Sequence, residues 1–343
     1  MRTALLAWFR RHGRSLPWRK SRDPYAVLVS EVMLQQTQVA TVIPYYQRFL
    51  GEFPSFAALA RAPRERVLEL WSGLGYYRRA TYLHQAAKEV IRRFAGVLPR
   101  DYQQLCSLPG IGDYTARAVL SIAFGLPYAV LDGNVARVVA RLGALEGNLH
   151  QPGFRRAAGE LLERLLSTRI PGNFNQSLME LGQTLCLARA PRCAACPLRR
   201  GCRACQSGQP HRYPAPRPRR AQESHFLASA ILRRGSRVAM VRGLGDGLLD
   251  DLWNFPSAFG GSGAEAFARL RERLAGIGIF PLSLGNSIAE IRHGITHRSI
   301  RVHVYAAETS SLPRPSALRW FPVTRLRQAA ISQLARKIAD LIF

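Results

Sequence analysis

Apolar residues recur at spacings of three and four through most of the first two hundred positions, the period of helices with one buried face. The pattern runs through Tyr25–Met33, Val67–Trp71, Ala80–Phe94, Ala116–Phe124, Val135–Leu142, Phe154–Ser167 and Asn175–Cys186. Turns such as Phe53-Pro54, Leu98-Pro99 and Leu108-Pro109-Gly110 part these segments. Residues 1–206 therefore read as all-α. From Arg203 to Gln222 the period stops and Pro, Arg and polar residues take over, as in Pro214-Ala215-Pro216-Arg217-Pro218, so 207–222 reads as a semi-rigid basic linker. Beyond it His225–Leu232, Arg237–Arg242 and Ser299–Ala306 have the composition and alternation of strands, and Ala264–Leu274 and Ile331–Ile342 return to helical spacing. Residues 223–343 are expected to form a separate α+β domain.

Charge adds a partner to this picture. Lys and Arg number 49 against 22 Asp and Glu, a net charge of +27 over 343 residues, which points to a polyanion and above all to nucleic acid. Only Lys20, Lys88 and Lys337 are lysines; the rest of the positive charge is arginine, suited to bidentate phosphate contacts. No apolar run approaches the twenty or so residues a membrane helix needs. A monomer in the cytoplasm, associated with the nucleoid and with no membrane partner, is the expectation.

Cys186, Cys193, Cys196 and Cys202 stand in the pattern C-x6-C-x2-C-x5-C. Four thiolates in so short a loop suit one metal centre, either zinc or a cubic iron–sulfur cluster. Only Cys193 and Cys196 form the close pair that zinc ribbons use twice, and the wider spacing of the others favours the cluster. Six cysteines without a legible secretory signal argue against disulfides. Cys106 and Cys205 are left as a buried thiol and a linker thiol.

Leu108-Pro109-Gly110-Ile111-Gly112 lies between a short helical segment and a longer one. Glycines there let a backbone approach closely, and the amides of the following helix N-terminus can bind a phosphate without reading sequence. This hairpin, followed by Leu131-Asp132-Gly133-Asn134-Val135 and then the four-cysteine loop, resembles the endonuclease III superfamily of helix-hairpin-helix base-excision glycosylases. The segments from Ser30 to Gln38, Gly73 to Tyr77 and Asn173 to Gln176 resemble its MutY-type, adenine-specific branch. The resemblance implies a multidomain protein: an all-α helix-hairpin-helix glycosylase core carrying a [4Fe–4S] loop at 186–202, then an α+β Nudix-like domain. It implies excision of adenine paired with 8-oxoguanine or guanine in double-stranded DNA, as a step of base excision repair.

Two carboxylates fit that chemistry on their own terms. Hydrolysing an N-glycosidic bond needs an acid for the leaving base and an anion for the cationic sugar. Glu31 lies in the apolar run Val27–Leu34, where desolvation favours its protonated form; Asp132 precedes a helix start, where the dipole favours its charged form. The resemblance implies that Glu31 protonates a flipped-out adenine and then activates water, and that Asp132 stabilises the sugar cation. Bifunctional relatives carry a nucleophilic lysine where this chain has Tyr114, which implies a monofunctional enzyme, with Tyr114 touching the developing cation or Asp132.

The resemblance also places Arg14, Leu16, Trp18, Arg19 and Gln176 in the adenine pocket. Gln36, Thr37, Leu74 and Tyr76 would form the wedge entering the duplex, and Gly110, Gly112 and Asn134 would contact DNA. Arg189, Arg192, Arg199 and Arg200 are candidates for phosphates beside the cysteine loop. Leu252-Trp253-Asn254-Phe255-Pro256 and Arg271-Glu272 resemble the Nudix-like domain of this branch, without the glutamate pair that would hold Mg²⁺, so nucleotide hydrolysis is not expected. Thr296 and His297 would recognise 8-oxoguanine; Ile295 stands where the family has an aromatic, so base stacking is not available there. Two other readings remain: an endonuclease III-like glycosylase/lyase for oxidised pyrimidines, opposed by Tyr114 and the C-terminal domain, and a non-enzymatic iron–sulfur DNA-binding protein, opposed by the placement of Glu31 and Asp132.

Overall fold

The computed structural model describes residues 1–216, 222–244, 249–279, 282–295, 297–309 and 318–342. Two compact units emerge: Met1–Arg61 with Tyr82–Pro218, and Ala62–Thr81 with Arg219–Phe343. No helix among the described residues is long and apolar enough to cross a membrane.

The chain opens with α1 (Arg2–His12), α2 (Pro24–Leu34), α3 (Val39–Glu52), α4 (Phe56–Arg61), α5 (Arg64–Trp71) and α6 (Arg78–Phe94). There follow α7 (Tyr102–Cys106), α8 (Asp113–Ile122), α9 (Gly133–Gly143), α10 (Pro152–Leu165), α11 (Pro171–Thr184) and the single turn α12 (Arg203–Gln206). In the first unit α11 is the hub, packed on α1, α8 and α9, with α2 against α8. Two glycines set its approach: a Cβ on Gly172 would lie 2.6 Å from Ser121 O, and one on Gly182 would lie 2.8 Å from Asn134 Cβ. Neither backbone could come so near a larger residue. The start of α2 is fixed by Pro24 and by Asp23, whose carboxylate accepts Tyr25 N at 3.3 Å and Ala26 N at 3.1 Å, an N-cap worth about 1 kcal/mol. Every residue from Tyr25 to Met33 is buried, so Glu31 enters the interior because its whole helix does.

The second unit carries β1 (Glu223–Arg234), β2 (Arg237–Arg242), β3 (Trp253–Asn254), β4 (Ser257–Gly260), α13 (Gly263–Gly276), β5 (Leu282–Ile295), β6 (Arg298–Thr309), β7 (Leu318–Pro322) and α14 (Gln333–Ala339). The sheet runs β3-β2-β1-β6-β5, with β4 on β1 and β7 on β2. β1 and β6 pair in parallel, Leu227 opposite Val302; β5 and β6 are antiparallel. Along β1, Leu227 and Ile231 join the cluster containing Leu334 and Ile338 of α14, whereas Ala228, Ala230 and Leu232 join the one containing Leu270 and Leu274 of α13. Burial on both faces explains the nearly continuous apolar run of this strand.

Candidate active site

Glu31 on α2 is 5 % exposed and accepts the Tyr114 hydroxyl at 2.8 Å. Burial pushes its carboxyl up to about 7; the Tyr114 bond opposes that rise, nearby Asp132 adds to it and Arg19 opposes it. Tyr114, on the first turn of α8, is held well above its ordinary range by burial and by the same two carboxyls, so it stays a donor. Asp132 caps α9: Oδ1 accepts Val135 N at 2.6 Å and Oδ2 accepts Asn134 Nδ2 at 3.1 Å. The loop leading to it is pinned by fully buried Asn175, which accepts Val130 N at 3.3 Å and donates to Tyr128 O at 2.8 Å and Ser121 Oγ at 2.9 Å. Two carboxyl groups thus reach one space from separate helix ends, each fixed by its own bonds.

That space is a cavity of about 990 Å³ lined by Glu31, Tyr114, Asp132 and Asn134, by Arg14, Leu16, Trp18, Arg19 and Gln176, and by Gln36 and Thr37. Arg14 grips Glu180 through Nε at 2.6 Å and Nη2 at 2.9 Å, and Arg19 Nη2 reaches the same carboxylate at 2.8 Å. Burial works to raise the Glu180 carboxyl, but the two guanidiniums prevail and hold it below its usual value. Trp18 packs edge-on against Tyr46 with centroids 5.5 Å apart while also facing the cavity.

The hairpin residues Gly110 and Gly112 lie outside this lining. Gly110 has φ +75° and a Cβ there would meet Tyr82 Cβ at 2.5 Å, whereas a Cβ on Gly112 would meet nothing within 4 Å. Gly112 caps α8 without a side-chain bond, so the helix presents bare amides on an open surface, the geometry of a phosphate site.

The four cysteines of the 186–202 loop are half-buried free thiols. Among the described residues no three His, Cys, Asp or Glu side chains converge closely enough for one metal ion. The thiols still feel one another: burial raises Cys196 to about 11, with Cys186, Cys202 and Cys193 adding to the rise. Buried Arg141 donates to Cys186 Sγ at 3.3 Å and to Leu187 O at 2.7 Å, while Cys202 Sγ donates to Arg141 O at 3.3 Å. Four cysteine thiols on one half-buried loop are the donor set of a sulfur-held metal centre, and their chemistry suits an iron–sulfur cluster.

A helix-hairpin-helix model, "HhH-GPD superfamily base excision DNA repair protein", matches residues 29–164, and a NUDIX domain model matches 228–341. The adenine DNA glycosylase of Homo sapiens is 33% identical over 397 aligned residues, spanning 98% of this chain and 73% of the human one. This chain belongs to the adenine DNA glycosylase family. Among solved structures, a thermostable thymine-DNA glycosylase is 29% identical with a TM-score of 0.55, covering 60% of this chain and 95% of that one. An endonuclease III in a non-covalent DNA complex shares the fold at a TM-score of 0.51 and 24% identity, covering 60% and 95%.

In this glycosylase Tyr114 bonds Glu31 rather than Asp132. Gln36 is exposed at φ +55° and Thr37 half-buried. Leu74 is 5 % exposed and Tyr76 47 % exposed; both belong to the second unit. Arg189, Arg192, Arg199 and Arg200 are exposed on the cysteine loop. His297 opens the return from β5 to β6, its Nε2 3.1 Å from Glu223 Oε1; Thr296 lies outside the described residues. Sequence reasoning missed Glu180, although a lone Glu in the apolar stretch Ser177-Leu178-Met179-Glu180-Leu181 is the signal that singled out Glu31. It also missed Arg137, which ties the Asp132 cap to the cysteine loop by donating to Asn134 Oδ1 at 2.9 Å and Cys186 O at 2.8 Å.

Proposed function

We propose that this DNA glycosylase hydrolyses the N-glycosidic bond of adenine mispaired with 8-oxoguanine or guanine in double-stranded DNA, acting as a monofunctional monomer that leaves an abasic site. The observation that carries the reading is the Glu31–Tyr114 pair, a carboxyl at about 7 facing the same cavity as Asp132. A flipped adenine enters between Trp18, Leu16 and Gln176. Glu31 gives its proton to the base, whose departure leaves an oxocarbenium-like sugar facing Asp132; water then adds, and Glu31 regains a proton from it. Tyr114 offers no amine for a Schiff base.

Cys186, Cys193, Cys196 and Cys202 would hold a [4Fe–4S] cluster that, when bound, supplies a rigid clamp rather than hydrolytic chemistry. The loop so held would present Arg189, Arg192, Arg199 and Arg200 to phosphates. Thr296 and His297 would read 8-oxoguanine opposite the adenine, and the cytoplasmic nucleoid is the place where such DNA is met.

The test is single-turnover adenine release from duplexes with adenine opposite 8-oxoguanine, guanine or thymine, with borohydride added in parallel. Release from the first two, strand breaks only after alkali and no trapped adduct support the proposal. Release of an oxidised pyrimidine with a trapped adduct would support the lyase reading instead.

A further inference from the structure

Residues 62–81 follow the helical period of the first half, yet they pack in the unit formed by 219–343. Asp251 accepts Arg64 and, at 3.3 Å, Thr81 Oγ1, and two further clasps lie between those points. At the start of α5, Glu65 accepts Trp253 Nε1 at 2.9 Å and Arg319 Nη1 at 3.3 Å, while the Arg242 guanidinium sits 4.0 Å from the Trp253 ring centroid. At the other end Ser72 Oγ donates to Ile331 O at 2.9 Å and accepts Arg336 Nη2 at 2.8 Å. The Tyr77 hydroxyl accepts Gly73 N at 3.1 Å and donates to the same Ile331 carbonyl at 3.4 Å. Ile331 pairs with Trp253 in a parallel bridge, so the two clasps share one anchor.

Between Ser72 and Tyr77 the backbone takes a path few sequences allow. Gly73 has φ +102°, Gly75 φ +78° and Tyr76 φ +49°. A non-glycine residue in the left-handed region persists only where its surroundings over-determine it. Here Arg79 and Trp71 both donate to Gly75 O at 3.1 Å, and the Arg79 guanidinium lies 5.3 Å from the Tyr76 ring centroid. The outcome is a tyrosine ring 47 % exposed on a strained, braced loop.

We propose that Ser72, Tyr77 and Arg336 are positioning residues for Tyr76, so that the C-terminal unit builds the loop that enters the duplex, a role separate from reading the base opposite the adenine. The proposal rests on the reading of Tyr76 as a side chain that penetrates DNA. The two roles differ in what they spare. Loss of the reader changes the preference between 8-oxoguanine and guanine; loss of the clasp weakens engagement with both duplexes alike.

The experiment uses the full chain and follows the emission of 2-aminopurine beside the target adenine, which rises on unstacking, together with adenine release from both duplexes. Ser72→Ala combined with Tyr77→Phe deletes only hydroxyls, and should slow unstacking and release about ten-fold by the same factor on both duplexes. In a Tyr76→Ala background the hydroxyl pair should cost nothing more than Tyr76→Ala alone, since the interactions form one chain. Arg336→Lys should retain most of the unstacking rate and Arg336→Met should not. Unstacking as in the wild type for the hydroxyl pair, while Tyr76→Ala alone abolishes it, overturns the proposal and leaves Tyr76 as a wedge. A loss confined to the 8-oxoguanine duplex overturns it too. If Tyr76→Ala itself changes nothing, the wedge reading fails and the proposal with it.

Discussion

Glu31 holds its proton to about pH 7 because burial penalises the carboxylate more than the Tyr114 hydroxyl and Arg19 reward it. Adenine release should therefore fall as pH rises through that value, since the acid form does the work. Tyr114 favours the charged form, so Tyr114→Phe should move the alkaline limb of the pH–rate profile to higher pH; a limb displaced downward would contradict the assigned bond. Stability follows the same titration. The folded chain binds this proton more tightly than the unfolded chain, so the contribution is complete below the unfolded value of about 4.3 and is lost as pH rises through about 7. Glu31→Gln removes that loss and should unfold at higher denaturant than the wild type at pH 8, by on the order of 3 kcal/mol. Equal unfolding midpoints at pH 8 would speak against a buried carboxyl. Asp132→Asn keeps an acceptor for Val135 N and loses the one for Asn134 Nδ2, so it should melt within about 1–2 kcal/mol of the wild type while releasing adenine about 10²–10³-fold more slowly.

At the scale of elements the hairpin makes a paired prediction. Gly110→Ala places a Cβ 2.5 Å from Tyr82 Cβ at φ +75° and should destabilise the fold by about 1–3 kcal/mol. Gly112→Ala enters open space, so its melting should be nearly unchanged while DNA affinity falls; unchanged affinity would remove α8 as a phosphate site. The hairpin and the convergence of Glu31 and Asp132 on one cavity were legible in the sequence because each is announced by its own neighbours: a glycine pair, an apolar run, a helix start. The Arg14–Glu180–Arg19 linkage was not, since it joins positions 161 to 166 residues apart. β5 was missed because Leu282–Ile295 is largely exposed, carries Gly, Asn and Ser, and shifts register between Leu284 and Ala289, leaving a weak period of two. The packing of α5 with the C-terminal unit was invisible for a different reason: its period reports only that one face is buried, never against what.

For the molecule as a whole, a charge of +27 makes DNA binding a problem of counterion release. Arg199→Ala with Arg200→Ala should flatten the slope of log affinity against log salt by roughly 2, about 0.9 for each phosphate no longer neutralised, with the melting of the fold unchanged; an unaltered slope would place those arginines away from DNA. In the proposed reading, field, hairpin and cavity serve one chemical event, the transfer of a proton from Glu31 to a flipped adenine. The most direct test is the pH–rate profile of single-turnover adenine release for the wild type beside Glu31→Gln. The wild-type rate should fall above a midpoint near 7, and the variant should be slower by about 10²–10⁴-fold with no such limb. A variant that releases adenine as fast as the wild type, with the same pH dependence, would contradict the role of Glu31 as the acid.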